Sequence, residues 1–133
     1  FSKTSEEKLI ISEVIETCGL MEFLDKPAGD LAHGQMQWLE LGMLISQRPR
    51  LILLDEPTAG MTRDETYKTA EIIKRLKGEH TLIVVEHDMA FVKEIAEKIT
   101  VMHLGKLLAE GGVSEIEKNK AVQEAYLGSG GIH

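Results

Sequence analysis

The sequence predicts an α/β fold with a mainly parallel sheet, because helical and strand patterns alternate along most of its length. Two apolar runs, residues 51–54 and 81–85, are typical of buried strands, and polar, ionisable residues follow each of them directly. Stretches with apolar residues at helical spacing lie before and after these runs. Open sheets of this class bind ligands at the carboxyl ends of their strands, so we expect the functional site there.

The composition is that of a soluble globular protein, with 133 residues, 43% hydrophobic and 28% charged side chains. This length suits one domain or a large part of one. The formal net charge of −7 argues against a broad nucleic-acid-binding face. The single cysteine excludes an internal disulfide and fits a reducing compartment. No apolar run approaches the roughly 20 residues that span a bilayer.

The first helix is predicted to begin at Thr4, which has capping-box spacing to Glu7. An apolar stripe then runs as far as Cys18, and Gly19 ends the helix. We interpret Cys18 as a core residue on this stripe. A connector covers residues 20–30, and a second helix is predicted from about residue 34 to 46, where Arg48-Pro49-Arg50 follows.

The run at residues 51–54 is predicted to be a strand buried on both faces, because its four large apolar residues do not alternate with polar ones. Pro57 prevents the strand from continuing. Thr62 and Glu65 form a second capping box, which starts a third helix that ends at Gly78.

The second strand, residues 81–85, is followed by Asp88, a predicted N-cap. The fourth helix is expected to place Phe91, Val92, Ile95 and Ile99 on one side. Two short strands around a Leu-Gly turn and then short helices complete the chain. The predicted segments are residues 99–103 and 106–110 for the strands and 129–133 for a flexible tail.

Four loops carry residues suited to phosphate chemistry. Asp55 and Glu56 follow the first strand, and His87 follows the second, so the two positions share a cleft if the strands are neighbours. The entry to the second helix, residues 31–35, contains a glycine and offers backbone N–H groups and the positive end of the helix dipole to an anion. Residues 59–62 link the carboxylates to the third helix. Each feature alone also occurs in ordinary structural turns.

Together the four loops resemble the C-terminal half of the ATPase domain of an ABC transporter. Leu31, Ala32, His33, Gly34 and Gln35 are similar to the signature loop LSGGQ. Residues 51–57 resemble the Walker B segment, and His87 occupies the position of the switch histidine. The D-loop position is taken by Ala59, Gly60, Met61 and Thr62.

The resemblance implies a partial P-loop NTPase core of the ABC type, together with part of the helical signature subdomain. It places the signature portion at residues 1–47 and the second half of the ATPase core at residues 48–128. Asp55 is then expected to hold Mg²⁺ through water, because this cation prefers oxygen ligands and keeps its hydration shell. Glu56 would polarise the attacking water as general base, and His87 would sense the γ-phosphate of ATP.

The resemblance also implies partners. In this family the signature loop serves the nucleotide of the opposite subunit, so the active unit is a head-to-tail dimer bound to transmembrane permease subunits at the cytoplasmic face of a bacterial inner membrane. Several segments resemble the branched-chain amino-acid class of importers, among them Glu86-His87-Asp88-Met89 and Ala125-Tyr126-Leu127-Gly128. His33 together with Gln37-Trp38-Leu39-Glu40 is most similar to the urea-transport ATPase subunit of that class.

Two departures from the family pattern matter. Ala32 replaces the signature serine, so one hydroxyl donor to the γ-phosphate is missing, although the His33 ring is a candidate to replace it. No G-x-x-x-x-G-K-[ST] phosphate loop occurs in the chain. We therefore expect a C-terminal fragment that is inactive alone and that self-associates through an exposed, apolar edge of the second strand.

Other functions remain open from the residues alone. A soluble ABC ATPase that acts on ribosomes or DNA is the main alternative, and the acidic composition argues against it. A truncated module that only dimerises is a third possibility.

Overall fold

The computed structural model describes residues 2–128, with side chains as far as residue 126. The predicted flexible tail at residues 129–133 lies outside the described residues. The chain forms two compact units, Phe1–Phe91 and Val92–His133. The division predicted from the family resemblance, at residue 47, stays a prediction.

The first unit alternates helices and strands as predicted. Two short 3₁₀ turns, Met21–Phe23 and Ala28–Asp30, form the connector between its first two helices. The fourth helix begins in this unit and crosses the boundary. The elements are α1 (Ser5–Thr17), α2 (His33–Ile45), β1 (Leu51–Asp55), α3 (Arg63–Leu76), β2 (Thr81–Val85) and α4 (Met89–Ile95).

Strands β1 and β2 are parallel neighbours, which confirms the predicted parallel sheet. Their register places Leu51 beside Thr81 and Asp55 beside Val85, so both strands end at the same level. The Glu56 amide donates to the Val85 carbonyl at 2.8 Å, which extends the pairing by one residue into the loop. The ends of the two strands, and the loops that follow them, therefore lie side by side.

The core of the first unit lies between one face of this sheet and the helices. Ile52 is 1% exposed, and the partly buried Leu54 and Leu82 pack against the same cluster. Cys18 is fully buried there, as predicted, and its burial raises the pKa of its thiol to about 11. The other buried members of the cluster are Leu20, Trp38, Leu41, Ile45, Ile72 and Leu76.

The prediction that the first strand is buried on both faces is wrong for the described structure. Leu51 and Leu53 are 50% and 66% exposed, and Ile83 and Val85 of the neighbouring strand are exposed on the same face. Successive side chains of a strand point to opposite faces, and within residues 2–128 the helices cover only the face of Ile52. Residues 51–54 are therefore all apolar, although buried and exposed side chains alternate along them.

Both capping boxes that the sequence predicts are present. Thr4 and Glu7 exchange backbone-to-side-chain hydrogen bonds at the start of α1, and Thr62 and Glu65 do so at the start of α3. The Asp88 carboxylate accepts hydrogen bonds from the amides of Ala90 and Phe91, as expected of the residue that caps α4.

The second unit contains an antiparallel hairpin and two short helices: β3 (Ile99–His103), β4 (Lys106–Gly111), α5 (Val113–Lys118) and α6 (Lys120–Gly128). Leu104 and Gly105 form the turn in left-handed conformations, with φ of 49° and 74°. The sequence placed Ile99 both on one side of the fourth helix and at the start of a strand, and it begins β3 because α4 ends at Ile95. No helix within residues 2–128 is long and apolar enough to cross a membrane.

Candidate functional site

Asp55 and Glu56 lie at the carboxyl end of β1, where the sheet order predicts a ligand site. Asp55 is the last residue of the strand, and its exposed carboxylate makes no hydrogen bond or ion pair within residues 2–128. Glu56 has a φ of +46°, a left-handed conformation that is uncommon for a residue with a side chain. Such backbone strain persists only where surrounding contacts hold it, and it is frequent at functional sites.

The side chains of Glu56 and His87 contact each other across the two strand ends. The Glu56 Oε1 atom lies 3.3 Å from His87 Nδ1, and both side chains face solvent, with 51% and 80% of their surfaces exposed. The parallel register of β1 and β2 brings them together from positions 31 residues apart in the sequence. The structure therefore brings these two side chains together at neighbouring strand ends.

A second link between the same two loops was not predicted from the sequence. Thr58 donates both its hydroxyl, at 2.6 Å, and its amide, at 3.2 Å, to Glu86 Oε1. The other carboxylate oxygen of Glu86 accepts from the His87 amide at 3.2 Å. In the sequence, Thr58 and Glu86 lie close to Glu56 and His87. This closeness does not indicate that Thr58 and Glu86 contact each other.

The D-loop segment, residues 59–62, folds as consecutive tight turns after Glu56. The Ala59 amide donates to the Glu56 carbonyl at 3.0 Å, and the Met61 amide donates to the Thr58 carbonyl at 3.0 Å. Gly60 has a φ of +73°, and an added side chain there would contact the His33 ring at about 3.4 Å. Glycine suits this position because of its left-handed backbone conformation, since the contact with His33 would be an ordinary van der Waals one.

The signature loop, residues 31–35, contacts the D-loop segment within the same chain. His33 Nε2 lies 2.9 Å from the Ala59 carbonyl oxygen. Because a carbonyl only accepts, Nε2 carries the proton in this contact. The His33 ring was expected to replace the missing serine hydroxyl as a donor, but in this conformation Nε2 is already used and only Nδ1 remains for another partner.

The N-terminus of α2 is only half capped. Ala32 is the N-cap residue and lacks a side-chain acceptor, while its amide donates to Gln35 Oε1 at 3.0 Å. Glu65 approaches the same helix end, since a side chain added at Gly34 would meet its carboxylate at 2.6 Å. Hydrogen bonds from Thr62, first of all from its amide, lower the pKa of Glu65, and the charge of His33 and the Gly34 amide act in the same direction.

The signature loop does not contact the residues at the strand ends directly. Within the described part of the chain, no hydrogen bond or ion pair joins residues 31–35 to Asp55, Glu56 or His87. In the described part of the chain, the His33–Ala59 hydrogen bond and the bond from the Ala59 amide to the Glu56 carbonyl link the two groups.

The donor set fits a hard cation in its chemistry. Asp55 and Glu56 offer carboxylate oxygens, which Mg²⁺ prefers, and Mg²⁺ commonly needs only one or two protein carboxylates beside water and phosphate oxygens. The described residues contain no cluster of three or more His, Cys, Asp or Glu side chains that surrounds a metal position. A cation at this position would therefore take most of its ligands from water and phosphate oxygens, and few from the protein.

Comparisons with known proteins agree with this geometry. The family model for ABC transporters matches residues 2–59. The high-affinity branched-chain amino acid transport ATP-binding protein BraF of Pseudomonas aeruginosa is 40% identical over 116 residues, which cover 86% of this chain and 46% of that protein. The corresponding protein LivG of Escherichia coli strain K12 is 37% identical over the same shares of the two chains.

Solved structures of the same class share the fold. The ADP conformation of an ATP-binding cassette from an ABC transporter superposes with a TM-score of 0.80 at 26% identity, covering 96% of this chain and 52% of that one. A nucleotide-free cassette gives a TM-score of 0.74 at 26% identity, covering 93% and 51%.

The family match, the curated relatives and the shared fold together indicate the class of ATP-binding cassettes. The chain belongs to the ABC transporter family of ATP-binding proteins, and its curated relatives include proteins named for branched-chain amino acid transport. It spans about half the length of the relatives that it matches.

Proposed function

We propose that this chain contributes half of the catalytic machinery of an ATP-hydrolysing subunit that energises a membrane importer. The observation that carries the proposal is the Glu56–His87 contact of 3.3 Å beside the exposed Asp55 carboxylate, at the carboxyl ends of two parallel strands. The family to which the chain belongs supports the same conclusion.

The proposed roles follow from the chemistry of these groups. Glu56 accepts a proton from the attacking water as general base, and His87 donates a hydrogen bond to the γ-phosphate. Mg²⁺, held through water by Asp55, would neutralise phosphate charge. Phosphoryl transfer depends mainly on positioning and charge stabilisation, so few protein groups are needed at this point.

The signature loop is proposed to act on ATP bound to a second subunit. Backbone amides at the start of α2 and the positive end of its dipole suit the γ-phosphate. The loop makes no contact with the Asp55 and Glu56 carboxylates of its own chain, which supports a role in trans within a head-to-tail dimer. The D-loop segment would then transmit the state of one site to the other through His33.

The cargo is proposed to be a small polar solute. BraF and LivG are named for branched-chain amino acid transport, and the segment from His33 to Glu40 resembles urea-transport ATPase subunits. We therefore propose urea or a branched-chain amino acid, taken up through permease subunits at the cytoplasmic face of the membrane.

The hydrolytic role is tested with a complete subunit, meaning one of the length of the curated relatives that contains this chain. Glu56→Gln keeps the size of the side chain but removes its basicity, and we expect the ATPase rate to fall at least about 100-fold. Glu79→Gln is the matched control, because its exposed carboxylate makes no hydrogen bond or ion pair within residues 2–128. Unchanged hydrolysis by Glu56→Gln would refute the role.

The cargo is tested by uptake of labelled urea and labelled leucine into cells that depend on this importer. Loss of urea uptake alone on introducing Glu56→Gln supports the urea-transport proposal, and loss of leucine uptake alone supports branched-chain amino acids. If neither uptake changes while salt-dependent binding to ribosomes or DNA is found, the proposed transport function is wrong and the alternative ABC class is favoured.

The isolated chain is proposed to be inactive and to self-associate. It contains no phosphate loop, and the outer edges of the two-stranded β1–β2 sheet are unpaired within residues 2–128. Leu53 and Ile83 are also exposed on that sheet. Light scattering across concentrations should show dimers or larger species that Leu53→Lys reduces. Leu104→Lys, at an exposed hairpin turn, is the control, and a monomer at all concentrations would contradict the proposal.

A further inference from the structure

We infer that Glu86 is a positioning residue that fixes the two catalytic loops relative to each other through Thr58. This inference rests on the proposed function, since it concerns the geometry of the same site. Glu86 itself touches neither the Glu56 nor the His87 side chain. It acts on the backbone that carries them.

The contacts of Glu86 bridge the loop after β1 and the loop after β2. One oxygen accepts two hydrogen bonds from Thr58, two residues after Glu56, and the other accepts one from the His87 amide. The hydroxyl contact, at 2.6 Å, has the length of a strong hydrogen bond to a charged acceptor. Thr58 and Glu86 are both partly buried, whereas Glu56 and His87 are exposed.

Only an ionised carboxylate at position 86 can accept all three of these hydrogen bonds. An ionised carboxylate is an acceptor on both oxygens, and the three groups that point at Glu86 are all donors. A glutamine in its place keeps the oxygen that faces Thr58 but turns its NH₂ group towards the His87 amide, which is also a donor. Glutamine at this position therefore breaks the contact with the His87 amide and keeps the contacts with Thr58.

The position of Glu56 explains why such a link matters. Its left-handed backbone, with φ of +46°, is costly for a residue with a side chain and needs support from both sides. The Val85 carbonyl holds the Glu56 amide on one side, and the Thr58–Glu86 bonds hold the turn on the other. Without Glu86 the turn has fewer restraints, and a displacement of about 1 Å at a catalytic group costs on the order of 100-fold in rate.

The first test measures amide hydrogen exchange in the isolated chain, which needs neither nucleotide nor activity. Glu86→Ala should raise the exchange rates of both the Thr58 and His87 amides at least about tenfold. Glu86→Gln should raise only that of His87. Thr58→Val removes only the hydroxyl bond, and Thr58→Ser, which retains the hydroxyl, should behave as the wild type. Unchanged exchange in Glu86→Ala would overturn the inference.

The second test measures steady-state ATP hydrolysis by the complete subunit. Glu86→Ala and Thr58→Val should lower kcat about 10- to 100-fold and leave KM within about twofold, because the link positions groups and does not bind nucleotide. Their double variant should be no slower than Glu86→Ala alone, since both changes break one link. Thr58→Ser should restore the rate, and Glu79→Gln is the charge-matched control.

The outcomes separate this inference from the proposed function. If the wild-type subunit does not hydrolyse ATP while Glu86→Ala still alters exchange at Thr58 and His87, the function is wrong and the link stands. If the wild type is active and Glu86→Ala hydrolyses ATP at the same kcat, the positioning role is wrong and the function stands. A rise in KM alone would also overturn the positioning role.

Discussion

His33 Nε2 and the Ala59 carbonyl oxygen lie 2.9 Å apart and join the signature loop to the D-loop segment of the same chain. The contact spans 26 residues of sequence, and Gly60 lies beside the ring. The signature loop and the D-loop segment are therefore restrained together within one chain.

Replacing His33 should loosen the D-loop segment. His33→Ala removes the donor to Ala59, and we expect faster amide exchange at Gly60 and Met61. A hydrogen bond of this kind contributes about 1 kcal/mol, so ATP hydrolysis by the complete subunit should fall about fivefold if the contact persists in the active dimer. His33→Gln is the control, because its amide group can donate from a similar position. Equal exchange rates in His33→Ala and the wild type would contradict this prediction.

A serine at position 32 should stabilise the fold. Ala32 is the N-cap of α2 and its backbone is already extended, with ψ of 162°, so a serine hydroxyl would accept a hydrogen bond from the amides of the first turn. We expect the free energy of unfolding to rise by about 1 kcal/mol in urea titrations of the isolated chain. An unchanged or lower value would show that the helix start does not use this cap.

The same substitution separates helix capping from phosphate binding. Glycine is nearly as good an N-cap as serine but has no hydroxyl. If Ala32→Ser raises the ATPase rate of the complete subunit and Ala32→Gly does not, the hydroxyl acts on the γ-phosphate. If both raise it equally, the gain comes from helix stability.

Thr69 should be a sensitive position in the core. Its hydroxyl accepts from buried Trp38 Nε1 at 2.9 Å and donates to the Glu65 carbonyl at 2.8 Å. Thr69→Val keeps the shape but leaves the indole N–H without an acceptor, and we expect a loss of about 1–3 kcal/mol in the free energy of unfolding. Fluorescence of Trp38, the single tryptophan, reports unfolding. Thr69→Ser retains the hydroxyl and should lose less; equal losses would refute the hydrogen-bond explanation.

Glu65 should make the free energy of unfolding depend on pH in the acidic range. Hydrogen bonds from Thr62 hold the pKa of Glu65 below its ordinary value of 4.5 in the folded chain. Its contribution to the free energy of unfolding is therefore complete above about pH 4.5 and is lost as the pH falls through the lowered pKa. Glu65→Gln should be less stable than the wild type at pH 7, and the difference should shrink towards pH 3. For Glu79→Gln the difference should stay small and constant, and a constant difference for Glu65→Gln would contradict the prediction.

Local elements could be predicted from the sequence because their causes are local. The capping boxes at Thr4 and Thr62, the Asp88 cap and the helical stripe that ends at Cys18 depend on residues within one or two turns of each other. The candidate site could also be placed, since Asp55, Glu56 and His87 directly follow apolar strands. The two assignments of Ile99 show the limit of periodicity, because one apolar residue fits the end of a helical stripe as well as the start of a strand.

The contacts between loops could not be predicted in the same way. Thr58 and Glu86 are 28 residues apart, and nothing in either local segment requires them to meet. Their contact follows from the register of β1 against β2, which sets the strand ends level. The His33–Ala59 contact and the approach of Glu65 to Gly34 likewise depend on how α2 lies against the start of α3.

The sequence by itself determined the fold class, the helix ends and the positions of the acidic and histidine residues, because these depend on side-chain chemistry and short-range spacing. Only the tertiary structure decided that Glu86 and Thr58 join the loops that carry Glu56 and His87, that the His33 ring is held by the D-loop segment, and that one face of the first strand is exposed. These features arise from strand register and from which face the helices cover, and both are set by packing between segments distant in the sequence.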